Sequence, residues 1–203
     1  MQSARKLIAE RGPAVALRDI ADDAGVNFGL IYQYLGTKEQ LVAEVYAHAT
    51  EAAATRLSEA EHIDEALSLL MSLGDGTTAR LIGWAALDNS QSAASFRDSP
   101  ALRVLADFVI ADAQANGVDV SAEDARMFAA FAMMISLGWR LFAGPALYAA
   151  GLDGNRPAKY DDHVRMYLDR LADAVTHQAS DATTHSTSAS PRKRRFVHRG
   201  SSG

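Results

Sequence analysis

The sequence predicts an all-α protein in which an N-terminal three-helix module containing a helix-turn-helix is joined to a C-terminal helical body for ligand binding and dimerisation. Three observations carry that prediction. Apolar residues recur at three- and four-residue spacings along most of the chain, as expected for helices with one buried face. Glycine, proline and capping residues break the pattern into helix-sized segments, and no apolar-polar alternation of strand type competes with it.

Leu7 and Ile8 mark a first helix that the Gly12-Pro13 step ends, because proline cannot continue the hydrogen-bond ladder. A second run, Leu17 to Ala24, stops at Gly25, a residue suited to the left-handed conformation that closes a helix. Asn27 offers a capping side chain for a third helix from Phe28 to about Leu35, and Thr37 does the same for a fourth starting near Lys38. Beyond it, helical patterns run from Ile63 to Leu73 and from Leu81 to Leu87, with a break at Gly74, Asp75 and Gly76. Ser99-Pro100 starts another helix that ends at Asn116-Gly117. Ser121 and Asp124 resemble a capping box for the most apolar helix, which is expected to kink or end at Gly144-Pro145. Val164, Tyr167, Leu168, Leu171 and Val175 form the stripe of a final helix.

These boundaries divide the chain into a helix-turn-helix domain (1–45), a helical ligand-binding and dimerisation domain (46–178) and a basic tail expected to be disordered (179–203). The net charge is −5, yet the tail carries five Lys or Arg against the single acid Asp181, so the rest of the chain holds −9. Charge distribution matters more than its sum for nucleic-acid binding, so the acidic total is no veto. The absence of cysteine excludes disulfides, thiolate metal sites and Cys nucleophiles. No apolar run is expected to approach the roughly 20 residues that span a bilayer, and the chain is expected to be cytoplasmic with no membrane partner. His62, His163 and His177 lack second ligands at metal spacing, and His48 reads as packed or solvated, so neither metal nor cofactor is expected. No nucleophile-base pair or phosphate loop is visible, which argues against an enzyme.

A helix-turn-helix needs a small residue where its helices cross, a sharp turn four residues later and apolar positions that lock the second helix on the first. Ala21, Gly25 and the set Ile20, Ala24, Val26, Ile31 and Tyr34 meet that requirement together. The stretch LRDIADDAGVNFGLIYQYLGTKEQL, Leu17 to Leu41, resembles the N-terminal signature of the TetR family over almost its whole length, with Gly29, Tyr32, Tyr34, Thr37 and Lys38 at the recurring positions. The resemblance implies a transcriptional regulator, in most members a repressor, that binds a palindromic double-stranded DNA operator as a homodimer and is released by a small-molecule effector. Tyr32, Lys38 and Asn27 would then hold phosphates, Gln33 would pair with an adenine edge, and Leu30 or Phe28 would touch thymine methyls. Arg18, Gly29, Tyr34 and Thr37 complete the expected DNA-binding set. Two features depart from the family pattern: Ala16 stands where a capping Ser or Thr is usual, and the chain begins at Met1 almost inside the first helix, which favours a native start further upstream.

The body resembles the family only in layout. The segment SLGWRLFAGPALYAAGL, Ser136 to Leu152, resembles a stretch of some members at the helix that joins two subunits. Met134, Leu137, Leu141, Met166 and Leu171 are candidates for that interface. Trp84, Phe108, Phe128, Phe131, Met133, Trp139 and Phe142 are candidates for a ligand pocket, though most of them also suit ordinary core. Arg140, within an apolar helix, needs Asp107, Asp112 or an anionic ligand as partner. The rival to a ligand-responsive regulator is a DNA-binding architectural or interaction protein without a small ligand.

Overall fold

The computed structural model describes residues 1–73, 76–87 and 99–177, and the basic tail lies outside them. The described residues form nine α-helices and one short 3-10 turn: α1 (Gln2–Arg11), α2 (Leu17–Ala24), α3 (Phe28–Leu35), α4 (Lys38–Leu57), α5 (Ile63–Leu73), α6 (Gly76–Leu87), α7 (Pro100–Ala115), α8 (Ala122–Ala149), the 3-10 turn Pro157–Tyr160, and α9 (Asp161–Thr176). The all-helical architecture expected from the sequence is the one observed.

Local chemistry accounts for most of the boundaries. Gly12 (φ 81°) takes the positive φ that lets its N–H close α1 on the Ile8 carbonyl. Gly25 sits in the left-handed region (φ 64°, ψ 30°), and its N–H reaches the Ala21 and Asp22 carbonyls in a glycine C-cap. Thr37 and Gln40 form a reciprocal capping box at the start of α4: the Gln40 N–H donates to Thr37 Oγ1 at 3.3 Å and the Thr37 N–H donates to Gln40 Oε1 at 2.7 Å. Ser121 caps α8 by accepting from the Asp124 N–H at 3.0 Å, and its hydroxyl donates to Asp124 Oδ2 at 2.6 Å.

Of the two outcomes expected at Gly144-Pro145, a kink or an end, the helix does not end there but continues to Ala149 with Pro145 inside it. Proline removes one ladder bond, and so near the C-terminus the helix has little further ladder to lose. At 28 residues, α8 is also long and apolar enough by composition to cross a membrane, contrary to the sequence expectation. Part of that apolarity is used inside the bundle, where Ala125, Phe128, Ala129, Ala132 and Ser136 are buried; its other face is exposed.

Two buried clusters organise the packing. The first joins Ala4, Leu7 and Ile8 of α1, Ile20 and Ala21 of α2, Ile31 of α3, Leu41, Val42, Val45 and Tyr46 of α4, and Leu81 and Ala85 of α6. The second gathers Leu57 of α4, Leu67 and Met71 of α5, Leu105 and Val109 of α7, Phe128 and Ala132 of α8, and Leu168 of α9. Each fully buried Leu or Ile contributes about 1.5–3 kcal/mol. The long helix α4 enters both clusters and is the rod between them.

Candidate nucleic-acid interface and effector cavity

The reading helix α3 is held by very little buried surface of its own. Ile31 is its buried residue, while Phe28, Leu30, Tyr32 and Tyr34 are 43%, 47%, 58% and 77% exposed. So many large apolar side chains left in water on eight residues mark a surface made for contact. Asn27 Oδ1 accepts from the Gly29 N–H at 2.7 Å, capping α3. A Cβ on Gly29 would lie 3.1 Å from that oxygen, so glycine leaves room for the cap to close. Gly36 (φ 72°) turns the chain between α3 and α4, and a Cβ there would run into the Gln40 carboxamide that forms the capping box.

Arg18, Asn27, Phe28, Gly29, Leu30, Tyr32, Gln33, Tyr34 and Thr37 are all exposed, and Lys38 is half-buried at the first turn of α4. The N-terminus of α4, with its positive dipole end, therefore stands directly after the reading helix. Ile20 and Ile31 lock α2 and α3 together as expected, but Ala24, Val26 and Tyr34 do not bury. They line an open groove of about 360 Å³ with Met1, Ala4, Leu30 and Leu35. Tyr34 belongs to the exposed set: Ile31 is the residue of α3 that fills the small head core, and Tyr34 lines the groove instead. Ala16 leaves the start of α2 without a side-chain cap bond.

Around this head, Lys6 Nζ pairs with Asp23 Oδ1 at 2.9 Å, tying α1 to α2. The hydrogen bond and charge of Lys6 hold the Asp23 carboxyl below its usual range, and Asp23 in turn raises the ammonium. The Glu39 carboxyl is also lowered, chiefly by its own backbone N–H and then by the Thr37 hydroxyl.

A cavity of about 280 Å³ lies between α4, α5, α6, α7 and α8. Its wall includes Ala49, Thr50 and Ala53 of α4, Leu70 and Leu73 of α5, Thr78, Ile82, Ala85 and Ala86 of α6, Leu102 of α7, and Met133, Ser136 and Leu137 of α8. Of the pocket candidates read from the sequence, Met133 alone is on this wall. Trp84 instead covers Gly12, whose Cβ position is 3.4 Å from the indole, and so fastens α6 to α1. Phe128 is buried in the second cluster and Phe108 packs against it, while Phe131 and Phe142 face solvent at 44% and 64% exposure. Trp139 donates its indole N–H to Asp161 Oδ1 at 2.7 Å. A period of 3.6 residues sends neighbouring aromatics of one helix in different directions, which is why the apolar richness of α8 overstated the pocket.

The partners expected for Arg140 are also corrected. Its guanidinium meets neither Asp107 nor Asp112: it donates to the Met71 carbonyl at 2.7 Å and lies 3.6 Å from Asp161 Oδ2. It thereby caps the last turn of α5 and ties it to the first turn of α9. Among the interface candidates, Met134, Met166 and Leu171 are exposed, at 58%, 36% and 39%. Leu137 lines the cavity, and Leu141 packs on Gly83 of α6, so those two face inward. Among the described residues no group of three or more His, Cys, Asp or Glu side chains is placed to hold a metal ion.

Residues 1–45 match the family model for bacterial regulatory proteins of the tetR family. The HTH-type transcriptional repressor Rv3405c of Mycobacterium tuberculosis is 33% identical over 154 residues, covering 75% of this chain and 76% of that protein. The HTH-type transcriptional regulator Mb3439c of Mycobacterium bovis matches with the same identity and coverage. In fold, the chain is similar to the transcriptional regulator FadR from Bacillus subtilis in complex with stearoyl-CoA (TM-score 0.63, 18% identity, 87% of this chain and 96% of that one). It is similar also to the fatty acid degradation regulator FadR from Bacillus halodurans (TM-score 0.60, 19% identity, 82% and 94%). A helix-turn-helix with an exposed reading helix, set on a helical body, defines a DNA-binding transcriptional regulator. This chain belongs to the TetR family.

Proposed function

We propose that this regulator is a homodimeric repressor that leaves its operator when a small apolar molecule occupies the cavity of the body. One observation carries the reading: α4 begins at Lys38 beside the reading helix and, further along, supplies Ala49, Thr50 and Ala53 to the cavity wall. A molecule that shifts this helix shifts the reading head with it. Coupling of that kind needs only a difference in effector affinity between the two positions of the head, and DNA then opposes the effector by the same factor. The repressor role is supported by the name of the Mycobacterium tuberculosis relative. A ligand-holding body is supported by the stearoyl-CoA bound to the Bacillus subtilis neighbour, and an apolar effector by the apolar wall of the cavity. The cavity weighs against an architectural protein without a ligand.

On the operator, Tyr32, Asn27, Thr37, Lys38 and Arg18 serve phosphates, Gln33 reads an adenine edge, and Phe28 and Leu30 meet thymine methyls. Pairing of subunits is supported by the exposed apolar face formed by Met134, Phe142, Met166, Tyr167 and Leu171 on α8 and α9. Two subunits laying these faces together bury them in a four-helix interface and set two reading helices at half-site spacing. A regulator of this kind works in the cytoplasm, where its DNA is.

The test is fluorescence anisotropy of the purified protein on DNA from upstream of its own gene, against scrambled DNA, across a salt series. A preference that persists at physiological salt supports the reading. Equal, steeply salt-dependent binding to both fragments, repeated with operator DNA recovered by selection from a random pool, overturns it.

A further inference from the structure

The chemistry of the cavity wall says what kind of molecule it holds. Every wall residue among the described ones is uncharged, and eleven of the fifteen are Ala, Leu, Ile or Met. The other four bear hydroxyls, and three of these are already engaged inside the protein. The Thr50 hydroxyl donates to the Ala47 carbonyl at 2.9 Å, Ser136 Oγ lies 3.3 Å from Met71 Sδ, and Thr78 Oγ1 accepts from the Arg5 guanidinium at 2.7 Å. Ser99, the fourth, makes no side-chain capping bond to α7. A carboxylate or phosphate brought into such a space would lose its hydration, a cost that neutral apolar matter does not meet. It would meet no charged side chain among the described wall residues, and the Arg5 guanidinium behind Thr78 is already hydrogen-bonded to that hydroxyl. The volume, about 280 Å³, falls just below the usual range for drug-sized ligands of about 300–1,000 Å³.

We infer that the effector is a compact, uncharged, predominantly apolar molecule bearing at most one neutral polar group, and that anionic acyl chains, free or linked to coenzyme A, are rejected by the wall. The inference rests on the ligand-responsive reading above and narrows it. It also separates this chain from its Bacillus subtilis neighbour: a shared fold takes a coenzyme A thioester there, while the described residues of the wall here include no cation. The head group is the discriminating feature, since an alkyl chain alone suits the same Ala and Leu surface in either case.

The experiment uses one alkyl chain with three ends. The full-length protein is titrated with N-phenyl-1-naphthylamine, an uncharged fluorophore that brightens in apolar surroundings. Dodecanol, dodecanoate and dodecanoyl-coenzyme A, each below its micelle concentration, then compete for the bound probe. The expected result is saturable probe binding, with the alcohol displacing the probe about ten-fold or more better than either anion. Ala49→Leu and Ala53→Leu, which put larger side chains into the cavity, are each expected to abolish probe binding while the helical circular-dichroism spectrum stays that of the wild type. Equal or better displacement by the carboxylate or the thioester overturns the inference and leaves the ligand-responsive reading standing. Absence of binding by the probe and by all three competitors overturns both. Probe binding unchanged in both variants shows that the fluorophore sits on another surface and likewise overturns the inference.

Discussion

Arg5 of the first helix donates a 2.7 Å hydrogen bond to the hydroxyl of Thr78, a residue that is at the same time part of the cavity wall. The N-terminal head and the cavity of the body thus meet at one hydrogen bond. Together with Trp84 over Gly12, it makes α6 a second connection between them, beside α4.

Thr78→Val keeps the shape of the wall and removes the acceptor. A hydrogen bond to a charged group is worth about 1.5–3 kcal/mol, and the variant is expected to lose an amount near the low end of that range, since Arg5 keeps other interactions. Urea unfolding measures the loss. Operator affinity is expected to fall as well, because α1 supports α2 and α3 from below; a variant with wild-type stability and affinity would show that the bond carries no load.

Asp161 holds two partners on α8, and two substitutions separate them. Asp161→Asn keeps an oxygen for the Trp139 indole and removes the charge facing Arg140. For so solvent-accessible a pair the expected loss is about 0.5–1 kcal/mol. Asp161→Ala also orphans the half-buried indole N–H and is expected to cost about 1–2 kcal/mol more. Thermal denaturation of the two variants side by side checks the difference, which vanishes if the ion pair dominates.

Gly25 and Gly36 both adopt positive φ, but their surroundings differ. A Cβ at Gly25 meets nothing within 4 Å, so Gly25→Ala is expected to cost only the backbone strain, about 1 kcal/mol. Gly36→Ala adds a collision with Gln40 and disrupts the capping box, for about 2 kcal/mol or more. The same comparison by anisotropy is expected to show a larger loss of operator binding for Gly36→Ala, because the box fixes the angle between α3 and the helix that bears Lys38.

The Asp169 carboxyl is raised from 3.8, chiefly by burial and then by its neighbours Asp64 and Asp173, with Arg165 opposing. Its Oδ1 has no hydrogen-bond partner among the described residues. A carboxyl whose folded pKa is raised weakens the fold when ionised: the penalty is absent below 3.8, grows as pH rises through the folded pKa and is complete above it. Asp169→Asn is therefore expected to melt higher than wild type at neutral pH, less the few tenths of a kcal/mol contributed by the exposed Arg165 pair. The two melting curves are expected to converge as pH falls below 3.8; a gain that is constant with pH would reject burial of the charge as its cause.

How far the sequence foretells these features depends on whether the determining chemistry is local. The ends of α2, α3 and α4 are legible because Gly25, Asn27 and Thr37 act within four residues of themselves. The exposed reading face follows from the same short segment. What a single helix shows poorly is which of its apolar residues turn inward and toward what. Leu137 reads as an interface residue and lines the cavity, Phe142 reads as a pocket residue and faces solvent, and Arg140 finds its partners on α5 and α9. The small side chains that shape the cavity, Ala49, Ala53 and Ala86, give no signal in sequence, because alanine is equally at home in any helix. Thr78 and Arg5 lie too far apart along the chain for a pattern to join them.

At Ala85 a single methyl group belongs both to the packed centre of the reading head and to the lining of the cavity. It is a party wall. Replacements at Leu70 or Leu102 alter one room alone, for neither side chain belongs to the packed centre of the head. Enlargement at position 85 is felt on both sides at once, and that thin partition is the place where divergence of the two halves is held back.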